Sequence, residues 1–227
     1  MINILLVGVG GQGTVLAAKV LAQAAQSKGW QVRTAETIGM AQRGGSVVSH
    51  VRMGSAGEPV HAPLVAPETA DAIIAFEPGE ALRSLLSLKK TGTVVTAKAV
   101  VQPVTAALAA KPYRADDVTA ALQRALDESG GTLRVVDAEP VLEKLGNRRA
   151  LNTVLLASAV ACGAVPLTAD ELKDALRACV KPRFVDMNLA AVDAVLGRSA
   201  SASPSALPEF NRKALDGGFA EPLSCAP

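Results

Sequence analysis

Along the first two thirds of the chain, short apolar runs alternate with longer stretches whose apolar residues recur every three or four positions. Residues 3–7 (NILLV) make an apolar run that stops at glycine, the pattern of a buried strand. From Gln12 to Ser27, positions 15, 16, 19, 20 and 23 follow helical spacing, and Gly29 supplies a stop. Residues 30–35 read as a second strand, so the opening predicts a β-α-β unit. Residues 46–53 (SVVSHVRM) alternate, which predicts a third strand with one wetter face. The run DAIIAF (71–76) predicts a buried strand, with a helix over 79–88 and a further strand at 93–96. Residues 116–127 predict a helix with two aspartates at its dipole-positive end. LRVVD (133–137) predicts the last strand, before a short helix in AEPVLEKL.

After Gly146 the periodicity is helical only: 149–162, then 168–180 opening on the capping box TADE, then 188–196. This order predicts an α/β fold, an open, mainly parallel, Rossmann-like sheet flanked by helices, with a helical C-terminal portion. Residues 1–198 make the domain. From Ser199 the composition turns to Ser, Ala, Pro and Gly, and 199–227 reads as a flexible tail.

Composition narrows the function. Aromatic residues are only 3% of the 227, so stacking platforms for bases are lacking. With 23 basic and 21 acidic residues the net charge is +2, and no block of like charge exists, so nucleic acid is not an expected partner. Cys162, Cys179 and Cys225 lie far apart without any C-x-x-C, which excludes a disulfide scaffold or a cluster-binding segment. Two buried structural thiols and one tail thiol in a reducing cytoplasm are expected. Residues 150–169 carry no charge, roughly a membrane-spanning length, but Gly163 and Pro166 interrupt them, so a buried soluble helix is expected. No basic segment precedes the first apolar run, and no signal peptide is expected.

The chemistry concentrates in two glycine loops. GVGGQG matches the dinucleotide fingerprint with Gly8, Gly10 and Gly13, and Glu36 lies 23 residues beyond Gly13, where a ribose-gripping acid would stand. An NAD or FAD enzyme is therefore one reading. A second glycine-rich loop, TIGMAQRGGS, follows Glu36 at once, and neither His50 nor His61 has an obvious hydride-handling role. A close strand–helix turn without a ligand, in a non-enzymatic interaction module, is another reading.

Within these loops Arg43, flanked by Gly44 and Gly45, can grip a carboxylate or phosphate bidentately, or form a solvated charge or interface ion pair. Gln12 and the N–H groups of Gly10, Gly11 and Gly13 can meet a phosphate or simply cap the sheet edge. Ser46 and Ser49 are candidates for the same ligand. His50 and Arg52 share a face suited to a partner, with a structural hydrogen bond favoured for His50 over acid–base chemistry. Glu77, before Pro78, ends a strand at the functional edge but is more simply a helix cap, and Asn152 is expected to satisfy buried backbone.

The pairing of NILLVGVGGQGTVLAAKVLA with ETIGMAQRGGSVVSHVRMG resembles the gamma-type subunit of 2-oxoacid:ferredoxin oxidoreductases, most of all the beta subunit of the indolepyruvate enzymes. DAIIAFEPGEALR, GNRRALNTVLLASAV and NLAAVDAVLG are similar too, so the resemblance spans roughly residues 1–198. It implies an accessory subunit of a complex that converts a 2-oxoacid, with CoA as substrate, to acyl-CoA, CO2 and reduced ferredoxin. Thiamine diphosphate and iron–sulfur clusters are then expected in a larger partner subunit, with no tightly bound cofactor in this chain. Ferredoxin is expected to be reached through the complex, and no membrane partner is expected.

Overall fold

The computed structural model describes residues 1–39, 45–55, 57–100 and 114–201, the last four without side chains. Six strands make one sheet: β1 (Ile2–Val9), β2 (Gln31–Ile38), β3 (Ser46–Gly54), β4 (Ala70–Ala75), β5 (Leu88–Ala97) and β6 (Thr132–Val136). Among the described residues the helices are α1 (Thr14–Ser27), α2 (Pro78–Ser84), α3 (Ala115–Ser129), α4 (Glu139–Leu145), α5 (Leu151–Ala161), α6 (Ala169–Cys179) and α7 (Val185–Ser201). This is the expected α/β architecture with helices toward the C-terminus.

Strand order is β2-β3-β1-β4-β5-β6. β1, β4, β5 and β6 are mutually parallel, whereas β3 is antiparallel to both β1 and β2. The predicted unit of β1, α1 and β2 is thus not a pair of neighbouring strands, because β3 is inserted between them. The short return from Ile38 to Ser46 lets β2 and β3 pair as an antiparallel hairpin, and β3 then also pairs with β1. Periodicity marks a strand's faces but does not name its neighbours.

β1 is central, and Ile4, Leu5, Leu6 and Val7 are buried on both faces, hence its unbroken apolar run. Ile4, Leu6, Val51 and Met53 face α1, α5, α6 and α7 through Leu21, Leu155, Leu172 and Val192. Leu5, Val7, Ile73 and Val94 face α2 and α3 through Ala81, Leu122 and Leu126. Each large side chain removed from water in this way stabilises the fold by about 1.5–3 kcal/mol. β3 alternates as its sequence predicts: Val47, Ser49, Val51 and Met53 are buried, while His50 and Arg52 lie on the wetter face.

The main differences in extent have local causes. α2 tightens into a 3-10 turn at Leu85–Ser87, which lets β5 begin at Leu88 instead of residue 93. α6 starts with the full capping box, Thr168 accepting from Glu171 N while Glu171 accepts from Thr168 N. α5 stops at Ala161, before Gly163, and among the described residues no helix is long and apolar enough to cross a membrane. α7 reaches Ser201, a little past the predicted domain end, and residues 202–227 lie outside the described residues.

Candidate functional site

β1, β4, β5 and β6 run in one direction, so the segments that follow them gather along one edge of the sheet, the edge at which open α/β sheets hold ligands. β2 also ends there and β3 begins there, since Val9 of β1 is in register with Ser46 of β3. The two glycine loops meet: the Gly10 N–H donates to the Gly45 carbonyl at 2.9 Å. Arg43 and Gly44, the candidate anion grip, lie outside the described residues.

Several of the candidate donors are occupied by the protein itself. The Val9 N–H donates to Gln12 Oε1 at 2.7 Å, and Gln12 Nε2 donates to the Phe76 carbonyl at 3.1 Å. Gln12 therefore ties the end of β1 to the end of β4. Ser46 Oγ donates to Glu80 Oε2 at 2.6 Å, and Glu80 is also paired with Arg83. Gly11 and Gly13 both have positive φ, and Gly13 caps α1 in the left-handed conformation, a position that suits glycine.

Glu77 is a helix cap, as its simpler reading held: its Oε2 accepts from Glu80 N at 3.0 Å, with Glu77 1% and Glu80 2% exposed. His50 is structural as well. Its Nδ1 accepts from Val65 N–H at 3.1 Å, and burial lowers its pKa, so the ring is neutral at pH 7. Arg52 donates to Asn3 Oδ1 at 2.9 Å and to the Ala62 carbonyl at 2.8 Å, so both residues fasten the segment after β3 onto the sheet.

Ser49 corrects the expectation that it faces a ligand. It lies on the α1 side of β3, fully buried, and its hydroxyl has no partner among the described residues. Glu36 is exposed on β2, in register with Ser49, and β3 separates it from β1. Two strand spacings, about 9–10 Å, stand between it and the glycine turn, twice the separation of adjacent strands in the dinucleotide pattern.

A cleft of about 660 Å³ opens on the same edge, lined by Gln12, Phe76, Lys98, Asp137, Arg148 and Leu151 among others. Its charges are paired: Lys98 Nζ to Asp137 Oδ2 at 3.2 Å, and Arg148 to Glu139. Sequence reasoning did not single out Lys98, Asp137, Glu139 or Arg148. Lys98, Asp137 and Glu139 stand just after β5 and β6, which was the available signal, since the segments after β1, β4, β5 and β6 all contribute to the cleft; Arg148 follows α4.

Cys162 and Cys179 are half-buried at the ends of α5 and α6, not fully buried as expected. Burial raises both thiol pKa values, so they stay protonated at neutral pH, the opposite of what a metal-bound thiolate requires. Among the described residues no three His, Cys, Asp or Glu side chains are grouped to hold a metal ion. An iron–sulfur cluster does not fit this set of donors.

The fold defines an α/β domain in which Gly10 and Gly45 meet at the edge where open α/β sheets hold ligands. Residues 3–197 match the Pyruvate ferredoxin/flavodoxin oxidoreductase family, and the chain belongs to it. The indolepyruvate oxidoreductase subunit IorB of Archaeoglobus fulgidus is 37% identical over 209 residues, covering 91% of this chain and 99% of that one. The gamma subunit of a keto/oxoacid ferredoxin oxidoreductase from Geobacter sulfurreducens shares the fold, with a TM-score of 0.63 at 20% identity over 89% of this chain and all of its own. So does part of the 2-oxoglutarate:ferredoxin oxidoreductase of Magnetococcus marinus, with a TM-score of 0.62 at 19% identity over 91% of this chain and 32% of that one. The chain is an accessory oxidoreductase subunit of the 2-oxoacid:ferredoxin class, as its motifs implied.

Proposed function

We propose that this chain serves an oxidoreductase for indolepyruvate or another aryl pyruvate, docked in the cytoplasm on a larger subunit that carries thiamine diphosphate and iron–sulfur clusters. The complex decarboxylates and oxidises the 2-oxoacid, transfers the acyl group to CoA and passes the electrons to ferredoxin. When bound, thiamine diphosphate supplies the electron sink for decarboxylation. This chain contributes a wall: Gly10 and Gly45 hold the two loops together, Gln12 and Glu80 fix their bases, and Arg43 offers a positive charge to a CoA phosphate or to the mouth of the partner's active site.

The Gly10–Gly45 hydrogen bond carries this reading, because it brings both family-typical loops to the edge where a substrate or partner can meet them. The aryl preference is supported by the IorB similarity.

Co-expression with a thiamine- and cluster-bearing large subunit of this enzyme class tests it. The chain alone is expected to be colourless and without turnover, whereas the complex reduces ferredoxin with indolepyruvate and CoA. Turnover by the chain alone overturns the accessory role. Higher kcat/KM with pyruvate or 2-oxoglutarate than with indolepyruvate overturns the aryl assignment.

A further inference from the structure

β2 is one edge of the sheet, 8 residues long, and among the described residues no strand pairs with its outer side. Just past its end the Gly39 N–H donates to the Ser46 carbonyl at 2.9 Å, so Gly39 bonds toward β3. In an antiparallel ladder such residues alternate with ones that turn their backbone groups the other way. Thr37, Ala35, Arg33 and Gln31 therefore bond to β3, while Val32, Thr34, Glu36 and Ile38 aim N–H and C=O outward. The Val32 carbonyl fits this phase: it accepts from the side chain of its neighbour, Arg33 Nη1, at 3.3 Å.

An open edge is a template for another strand, and proteins that leave one unused blunt it with lysine, proline or a bulge. β2 (QVRTAETI) has no lysine or proline, and its register with β3 runs unbroken from Gln31 to Ile38. The opposite edge, β6, has only 5 residues.

β2 is also complementary to itself, in one register. Residues directly opposite in a sheet share a face, so a two-fold axis perpendicular to the sheet must pass through a residue of β2, not between two. With the axis at Ala35, Ile38 stands opposite Val32 of the second copy, and Glu36 opposite its Thr34. The Ile38 side chain, 58% exposed, then gains an apolar neighbour, and the Glu36 carboxylate gains a hydroxyl donor. Ala35 meets Ala35 of the second copy where Cα atoms come within about 4.5 Å, a spacing that suits a small side chain. Neighbouring registers are worse. An axis at Glu36 sets carboxylate against carboxylate, one at Thr34 sets Glu36 against Val32, and one at Arg33 sets two guanidinium groups together.

We infer that β2 is an interface with a second copy of this chain, paired antiparallel about a two-fold axis at Ala35, so that two six-stranded sheets join edge to edge.

Sedimentation of the full chain from about 1 to 100 μM is expected to show a reversible monomer–dimer equilibrium, because strand pairing buries less area than a standard interface. A monomer throughout that range overturns the inference. Glu36→Pro removes an outward N–H and none of the bonds to β3, and is expected to weaken the dimer by at least about tenfold. An unchanged dimer constant overturns the inference as well. Oxidative cross-linking reads the register, whether or not the proline variant folds. Ala35→Cys is expected to give an interchain disulfide well above the wild-type level, which the chain's own 3 cysteines set. Thr37→Cys, on the same face but about 14 Å from its symmetry mate, is expected to stay at that level. Cross-linking at position 37 in place of 35, or at neither, overturns the inference.

Discussion

Gly8 leaves open the space that the side chain of Gln12 fills. A Cβ on Gly8 would stand 2.8 Å from Gln12 Oε1 and 2.9 Å from Phe76 Cβ, both too close for real atoms. The first glycine of the fingerprint therefore serves the protein's own amide, which bridges Val9 and Phe76, as well as the turn itself.

Replacing Gly8 by Ala should destabilise the fold by about 1–3 kcal/mol, the usual cost of overpacking. Gln12→Ala should cost a similar amount, since it leaves Val9 N–H and the Phe76 carbonyl without their partner. The double variant should cost less than the sum, because removing the amide relieves one of the two clashes at position 8. Urea unfolding of all four proteins measures this coupling. Strict additivity would show that the two positions act independently.

Ser49 offers a test in the opposite direction. Its buried hydroxyl has no partner among the described residues, so Ser49→Ala removes a desolvated polar atom and leaves only a small void. Stability should hold or rise by up to about 1 kcal/mol. A clear loss, read as a lower midpoint at unchanged m-value, would reveal a hydrogen bond to that hydroxyl.

The His50 ring gives the fold a pH dependence. Burial depresses its folded pKa below 6.5, so the folded state resists protonation more than the unfolded chain does. Its contribution is fully present above pH 6.5 and is lost as pH falls through the lower folded value. Melting temperature should therefore decline from pH 7 toward pH 5, and His50→Gln, which keeps an acceptor for Val65 N–H, should flatten the slope. An equal decline in both proteins would assign the effect to other groups.

In the assembled complex, Arg43→Ala should raise the KM for CoA by roughly tenfold or more, as for a lost charged hydrogen bond of about 1.5–3 kcal/mol. Unchanged CoA kinetics in a normally assembled complex would leave Arg43 as a surface charge and both loops as structural turns.

Most of the elements were legible in the chain because their signals are local. The apolar run of β1 ends at a glycine, Thr168 and Glu171 stand at capping-box spacing, and the alternation of β3 sorts its two faces, all within a few residues. The motifs GVGGQG and GMAQRGG were likewise enough to name the family. Pairing was not legible, because which strands share hydrogen bonds depends on residues far apart in sequence. The insertion of β3 between β1 and β2 moves Glu36 away from the glycine turn, and nothing near Glu36 announces it. The state of the polar groups was hidden for the same reason. Ser46 and Gln12 read as possible ligand donors until Glu80 and Phe76 arrive beside them, whereas Asn152, expected to satisfy backbone, accepts from the Thr153 N–H. Sequence determined which segments become strands, helices and loops. Tertiary structure alone decided which donors remain open to a ligand, since a hydrogen bond is satisfied only by what packing brings within reach.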